Sequence, residues 1–207
     1  MKFATISTLR ATSQPALVME DRLYTLPYPD MHAVIAAGAE TAARRASQES
    51  LPLDEVMFLS PLKPTTLRDG YAFEQHVVTA NRNRGRDVPE EWYQFPVFYF
   101  TNPNAVFGHE DVVPYPPYTS AMDYELEIAA VIGKGGMDIK PEDAPAHIFG
   151  YTIFNDWSAR DVQRKEMAVG LGPAKGKDFA SSFGPVIVTH ETLADKAAGR
   201  PAVYDLS

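Results

Sequence analysis

The sequence predicts an α+β protein that is mostly β-sheet, with a small N-terminal α+β domain over residues 1–58 and a larger domain over residues 59–207. Two observations support this fold class. Short runs of β-branched and apolar residues recur between clusters of turn residues, which is typical of β-strands. The chain also has 17 prolines, many of them between residues 89 and 117, which argue against a helical bundle and for strands joined by rigid loops.

The N-terminal domain is predicted to contain three short strands and one helix. The strands are expected at residues 2–9, 16–26 and 56–59. Asp30 is expected to cap a helix over residues 31–46, where alanine and arginine favour helical structure. These elements together predict a small α+β module.

The second domain is predicted to begin with a helical segment and to continue as strands and loops. Residues 68–78 have the spacing of apolar side chains that favours a helix. A buried strand is expected at residues 95–100, and a flexible loop at residues 170–178. The further strands are expected at residues 123–133, 148–154 and 184–189.

The strand at residues 123–133 carries the strongest chemical signal. Because side chains alternate along a strand, Glu125 and Glu127 share one face, about 7 Å apart, with apolar residues around them. Two carboxylates in an apolar strand are costly unless they are neutralised. A hard divalent cation such as Mg2+ or Ca2+ would neutralise them through oxygen ligands. The alternative is an edge strand with a solvated acidic face.

Two further carboxylates have two interpretations each. Asp156 follows a predicted strand and Asp69 precedes a predicted helix, so either residue could be a helix N-cap. With the glutamate pair they would instead form an oxygen cage for Mg2+ or Ca2+, if the fold brings all four together. His76 is either a general base or an ordinary surface or core histidine.

Composition excludes several kinds of partner and site. The net charge of −8 predicts no nucleic-acid partner and no binding to an anionic membrane surface. The absence of cysteine excludes disulfides, thiolate metal ligands and a cysteine nucleophile, and it fits a cytoplasmic protein. No apolar run approaches the length of a membrane span, and we expect neither a membrane span nor a signal peptide.

Five segments resemble the fumarylacetoacetate hydrolase superfamily in order and spacing, from about residue 59 to residue 190. Three resemble its central blocks: Asp-Tyr-Glu-Leu-Glu-Ile-Ala-Ala-Val-Ile-Gly-Lys, Asn-Asp-Trp-Ser-Ala-Arg-Asp-Val-Gln and Gly-Lys-Asp-Phe-Ala-Ser-Ser-Phe-Gly-Pro. Two upstream segments, Arg-Asp-Gly-Tyr-Ala-Phe-Glu-Gln-His and Phe-Pro-Val-Phe-Tyr, resemble the preceding block of fumarylacetoacetases. The resemblance implies a mixed, mostly β roll and a homodimer.

The resemblance also implies roles for individual residues. It implies that Mg2+, Ca2+ or Mn2+ is bound by Asp69, Glu125, Glu127 and Asp156. It implies that His76 is the general base that activates water and that Lys177 stabilises developing oxyanion charge. The implied substrate contacts are Tyr71, Tyr99, Arg160 and Gln163.

The expected activity is metal-dependent hydrolysis of a C–C bond in a small anionic dicarbonyl, a β-diketo acid of the fumarylacetoacetate or acylpyruvate kind, as in aromatic amino acid catabolism. An isomerase, decarboxylase or hydratase of 2-oxo dienoate-type acids is an alternative on the same scaffold. Another alternative is a remnant that binds metal or a partner without catalysis. Met167 replaces a tyrosine of fumarylacetoacetases, and the C-terminal part of the roll is expected to be missing after Ser207.

Overall fold

The computed structural model describes residues 1–199 and Tyr204, so part of the predicted domain 59–207 lies outside the described residues. The α-helices are α1 (Met31–Ala37), α2 (Ala39–Ala43), α3 (Glu74–Arg82), α4 (Glu91–Gln94) and α5 (Arg160–Val169). The strands are β1 (Lys2–Ser7), β2 (Gln14–Met19), β3 (Arg22–Thr25), β4 (Ser50–Pro52), β5 (Met57–Phe58), β6 (Leu67–Asp69), β7 (Tyr99–Thr101), β8 (Val106–Phe107), β9 (Met122–Asp123), β10 (Leu126–Ile132), β11 (Ile148–Asp156), β12 (Ser158–Ala159), β13 (Ser181–Phe183) and β14 (Val186–Thr189). No helix in the described part of the chain is both long and apolar enough to span a membrane.

One large mixed sheet organises the structure and confirms the predicted α+β, mostly β fold. Its strand order is β4-β3-β2-β1-β14-β11-β13-β8, with β5 paired to β1 and β10 paired to β11. The pairs are antiparallel except for β13 with β8. Because β1 pairs with β14, the strands of residues 1–58 continue into the sheet of the later region. The division of the chain at residue 58 stays a prediction.

The core lies where helix α1 covers this sheet. Phe3, Leu17 and Ile187 from three neighbouring strands pack with Val34 of the helix in one buried cluster. Asp30 caps α1 as predicted, accepting a hydrogen bond from the Ala33 amide at 2.9 Å. The predicted single helix over 31–46 is wrong, however, because the chain turns at a glycine, Gly38, with a φ of 81°.

Two other local predictions differ from the structure. The predicted strand 16–26 is a hairpin of β2 and β3, because the chain reverses at Glu20, which has a φ of 52°. The predicted helix 68–78 begins at Glu74 instead, since residues 67–69 pair with β7 as strand β6. Tyr71 follows that strand with a φ of 45°, which ends its extended conformation before the helix.

The predicted burial of residues 95–100 is also wrong. Phe95, Phe98 and Phe100 are each more than half exposed. Their segment contributes β7 to a separate two-stranded sheet with β6, outside the large sheet that carries the core. The Arg68 guanidinium lies 4.7 Å from the centre of the Phe100 ring and 5.5 Å from that of Phe98, in cation–π geometry.

Strand β11 is the part of the sheet that positions the site. It pairs with β10 on one edge and with β13 and β14 on the other, and its last residue is Asp156. The single strand predicted over residues 123–133 is wrong, because β9 pairs with β12 and β10 pairs with β11, and residues 124 and 125 lie between them. The predicted alternation is confirmed along β10: Leu126, Ile128 and Ile132 are exposed, whereas Val131 is buried. The described residues leave the other edge of β10 unpaired.

We predict that Gly150→Ala destabilises this part of the sheet. A Cβ at position 150 would lie 2.4 Å from the Val188 carbonyl oxygen, so strands β11 and β14 would have to separate. The expected loss is about 1–3 kcal/mol in the free energy of unfolding, measured by chemical denaturation. Gly135→Ala is the matched control, because its added Cβ would meet no atom within 4 Å. Equal stability of the two variants would contradict this packing.

Candidate metal centre

Three separate elements bring the four predicted carboxylates together. Asp69 ends β6 and Asp156 ends β11. Glu127 is the second residue of β10, and Glu125 immediately precedes that strand. Two hydrogen bonds at 3.0 Å hold Glu125 beside β11: its amide donates to the Asn155 side chain, and its carbonyl accepts from the Asp156 amide. One carboxylate oxygen from each of the four residues lies within 4.8 Å of the other three.

The cluster is not a solvated acidic face. Asp156 is fully buried, and the Glu125 side chain is 15% exposed. The helix-cap interpretations of Asp69 and Asp156 are also wrong, because α3 and α5 begin after Phe73 and Ala159 without a side-chain cap. Asp69 and Asp156 are the last residues of β6 and β11, and each of these strands ends before the cap position of the helix that follows.

Two cations neutralise part of this charge. Lys177, which is 3% exposed, places its Nζ atom 2.5 Å from Glu125 Oε2 and 2.8 Å from Asp156 Oδ2. The Arg160 guanidinium donates to Glu125 Oε1 at 2.6 Å and to Asp123 Oδ2 at 2.9 Å. Burial alone would raise the pKa of Glu125, but the charges and hydrogen bonds of Lys177 and Arg160 outweigh burial and lower that pKa.

The negative charges of two other carboxyl groups, Glu127 and Asp156, are less well neutralised by nearby cations. Burial, together with the negative charges of Asp69, Asp156 and Glu125, raises the pKa of Glu127 to about 8. Burial also raises the pKa of Asp156 to about 6, although Lys177 and Tyr99 act in the opposite direction. Without a bound cation, Glu127 in the folded cluster therefore retains its proton at neutral pH.

Tyr99 belongs to the carboxylate cluster itself. Its hydroxyl donates a hydrogen bond to Asp156 Oδ2 and lies 3.1 Å from Asp69 Oδ2. Burial and the charges of these two aspartates raise the pKa of Tyr99, so the phenol remains protonated. The sequence predicts Tyr99 as a substrate contact, and the structure adds that its hydroxyl holds two of the predicted metal ligands.

The oxygen atoms fit a hard divalent cation. Asp156 Oδ1 is buried and has no hydrogen-bond partner in the described part of the chain. An orphaned buried oxygen is costly, and metal coordination would satisfy it. Four carboxylates and no nitrogen or sulfur donor form the ligand set that Mg2+, Ca2+ and Mn2+ prefer. Asp69, Glu125, Glu127 and Asp156 could therefore hold such an ion.

The other predicted site residues surround the cluster at different distances. Gln163 accepts a hydrogen bond from Arg160 at 3.1 Å, so both predicted substrate contacts of α5 lie beside Glu125. The Tyr71 amide donates to Asp69 Oδ1 at 3.0 Å, and its ring meets the His76 ring edge to face at 5.5 Å. His76 is exposed on α3, and no hydrogen bond joins it to the cluster among the described residues.

Two residues of the site were not predicted from the sequence. Asp123 pairs with Arg160, and its place two residues before Glu125 on the same strand face was the available signal. Glu166 accepts hydrogen bonds from three consecutive backbone amides of the loop that contains Lys177. No local sequence pattern predicts that Glu166 binds this loop, because the loop conformation depends on tertiary packing.

A comparison with protein families identifies the family of this chain. Residues 65–203 match the family described as fumarylacetoacetate (FAA) hydrolase, C-terminal. The chain belongs to the fumarylacetoacetate hydrolase family. This membership confirms the resemblance inferred from the sequence.

Individual relatives of this family member have different activities. An oxaloacetate tautomerase of Bacillus subtilis is 36% identical over 147 residues, which are 69% of this chain and 46% of that protein. A fumarylacetoacetase of rice, Oryza sativa subsp. japonica, is 34% identical over 163 residues, covering 69% of this chain and 38% of that protein. The chain spans less than half the length of these curated relatives.

Solved structures share the fold across nearly the whole chain. The fumarylacetoacetate hydrolase of Exiguobacterium antarcticum superposes with a TM-score of 0.70 at 27% identity. A 5-carboxymethyl-2-hydroxymuconate delta-isomerase of Mycobacterium smegmatis superposes with a TM-score of 0.68 at 25% identity. Each alignment covers 92% of this chain and 67% of the other. The shared scaffold therefore occurs in proteins named as hydrolases and in proteins named as isomerases.

We predict that the metal-free protein loses stability as the pH rises. The pKa of Glu127 in the folded protein, about 8, lies above its ordinary value of 4.5, so the folded state binds a proton that the unfolded state has released. The free energy of unfolding in EDTA should therefore fall between about pH 5 and pH 8. Glu127→Gln should reduce this slope, leaving the contribution of Asp156. Urea unfolding at constant ionic strength measures it, and equal slopes in both proteins would contradict the raised pKa.

Proposed function

We propose that this chain is part of a divalent-metal-dependent enzyme that hydrolyses a C–C bond in a small anionic dicarbonyl acid. The observation that carries the proposal is the cluster of four carboxylates within 4.8 Å, with the buried Lys177 amino group inside it. Asp69, Glu125, Glu127 and Asp156 could hold a divalent cation. Its charge would offset the negative charge of the cluster, which would otherwise repel an anionic substrate.

The proposed reaction assigns one proton transfer and one charged hydrogen bond to residues of the chain. His76 accepts a proton from water while the water oxygen bonds to the acyl carbonyl carbon. The bond from this carbon to the adjacent carbon breaks, and its electron pair forms the enolate of the second carbonyl, which then takes up a proton. Lys177 donates a hydrogen bond to the oxygen that becomes negatively charged. A divalent cation held by the cluster would supply Lewis-acid stabilisation of that charge.

Tautomerisation is the second candidate function. One observation favours it: the relative that is 36% identical is an oxaloacetate tautomerase. In this reaction a proton moves between the carbon next to a carbonyl group and the carbonyl oxygen, and no water is added. Both candidates would use a bound divalent cation and Lys177 to stabilise charge on the carbonyl oxygen, and both need a group that accepts a proton. Only hydrolysis adds water and breaks a C–C bond, so the products separate the two candidates.

We predict that Mg2+ stabilises the folded chain through the carboxylate cluster. Binding to the folded state alone should add about 2.7 kcal/mol at a hundredfold excess over the dissociation constant. Thermal melts in EDTA and in millimolar Mg2+ measure this shift. Glu127→Gln should remove most of it, and Glu142→Gln, which changes an exposed charge outside the site, should keep it. A Mg2+ shift that survives in Glu127→Gln would place the ion elsewhere.

We predict that His76→Ala reduces hydrolysis of an acylpyruvate by about a hundredfold or more, because it removes the proposed general base. Pyruvate release measures this activity, and the ultraviolet absorbance of enol oxaloacetate measures tautomerisation in the same preparations. His109→Ala, which removes another exposed histidine, is the control. Full hydrolysis by His76→Ala would overturn the hydrolytic mechanism. Tautomerisation without hydrolysis in the unmodified protein would favour the second candidate.

The proposal includes two further points from the sequence. The substrate is an anionic dicarbonyl, with Arg160 and Gln163 beside Glu125 as contacts for its polar groups.

The assembly is a homodimer, as the family resemblance implies. Sedimentation velocity of the purified chain tests the dimer, and a monomer at micromolar concentration would contradict it.

A further inference from the structure

We propose that Glu166 is a positioning residue whose carboxylate organises the loop that places Lys177 in the carboxylate cluster. This inference rests on the proposed function, because the role of Lys177 in catalysis is part of that proposal. It assigns a task to a side chain outside the cluster, whose carboxylate makes no hydrogen bond to a predicted metal ligand or substrate contact among the described residues.

The Glu166 carboxylate binds three consecutive backbone amides with both of its oxygen atoms. Oε1 accepts from the Lys175 amide at 2.6 Å. Oε2 accepts from the Gly176 amide at 2.8 Å and from the Ala174 amide at 3.3 Å. Three amides that point at one carboxylate form an anion-binding concavity, and hydrogen bonds to an ionised acceptor are the stronger kind.

The residue that follows these three amides is Lys177. Its amide donates to the Ala174 carbonyl at 2.9 Å, and the Gly176 carbonyl accepts from the Ala159 amide at 2.7 Å. The loop is therefore held from two sides, by Glu166 in the last turns of α5 and by the chain entering α5. The side chain of Lys177 leaves this structure directly into the cluster, where it reaches Glu125 and Asp156.

The loop also fits closely against α5. A Cβ added at Gly176 would lie 3.0 Å from the backbone N, Cα and Cβ atoms of Gln163, so a larger residue would push the loop from the helix. Glu166 lies one helical turn further along α5 than Gln163. Helix α5 therefore contacts Gly176 through Gln163 and binds the loop amides through Glu166. Both contacts help to position Lys177.

Glu166→Gln is the sharpest substitution, because it preserves size and removes the charge. The amide has one acceptor oxygen and an NH2 group that would face the backbone donors. We expect Lys177 to become accessible as the loop loosens. In the unmodified chain Lys177 is 3% exposed and doubly paired, so an amine-reactive ester should label it slowly.

The test measures labelling of Lys177 by peptide mass spectrometry, together with hydrogen exchange of the amides of residues 174–177. Both rates should rise about tenfold or more in Glu166→Gln, as expected from losing charge-assisted hydrogen bonds. Exposed Lys134 and Lys140 serve as internal standards, and Glu142→Gln is the charge-matched control. Gly176→Ala should raise the same rates without altering Glu166. Unchanged labelling of Lys177 in both Glu166→Gln and Gly176→Ala would overturn the proposal. If Glu166→Gln fails to fold, unchanged labelling in Gly176→Ala alone would overturn it.

A double-mutant cycle asks whether Glu166 acts through Lys177. Glu166→Gln should lower kcat about tenfold or more with little change in KM, and it should have little further effect in a Lys177→Met background. Independent, multiplicative losses would overturn the positioning role. If no substrate is turned over by the unmodified chain while Lys177 labelling still depends on Glu166, the positioning of Lys177 stands and the proposed catalytic function fails.

Discussion

The structure of the site depends on how four carboxylates are held together against their mutual repulsion. Asp69, Glu125, Glu127 and Asp156 each place an oxygen within 4.8 Å of the others, in a region where Asp156 is fully buried. Like charges at this separation are unfavourable away from bulk water. Lys177 and Arg160 compensate Glu125, whereas the raised pKa of Glu127 shows that compensation is incomplete. The unsatisfied part of the charge is what a bound cation would neutralise.

The fold supplies the force that opposes this repulsion. β10 and β11 form an antiparallel pair that fixes Glu127, and β11, which ends at Asp156, is paired again on its other edge. The close approach of β11 to β14 at Gly150 leaves little freedom for β11 to move away. Tyr99 then ties Asp69 to Asp156 through its hydroxyl. A rigid scaffold with several supports therefore keeps ligands in place before a metal binds.

The regular features of this site were predictable from the sequence, and the features that depend on distant contacts were not. Alternation was sufficient to place Glu127 on the face opposite Leu126 and Ile128, because strand geometry is local. Glu125 precedes β10 and is held instead by hydrogen bonds to Asn155 and Asp156. The segment after Leu67 was predicted as helix, although its pairing with Tyr99–Thr101 makes it a strand. Tertiary pairing can override local propensity in this way. The link between Glu166 and the Lys177 loop has the same origin, since it joins a helix to a loop with no local signal.

The alternation along β10 determines which changes of sequence the site tolerates. Glu127 faces the site, and its neighbours Leu126 and Ile128 are exposed on the opposite face. Substitutions at these two neighbours leave the carboxylates in place, so this face is open to sequence drift. Inserting or deleting one residue between Glu125 and Glu127 would instead exchange the two faces and bring an aliphatic side chain to the carboxylate cluster. The length of this short segment is therefore constrained more strongly than the identity of the residue within it.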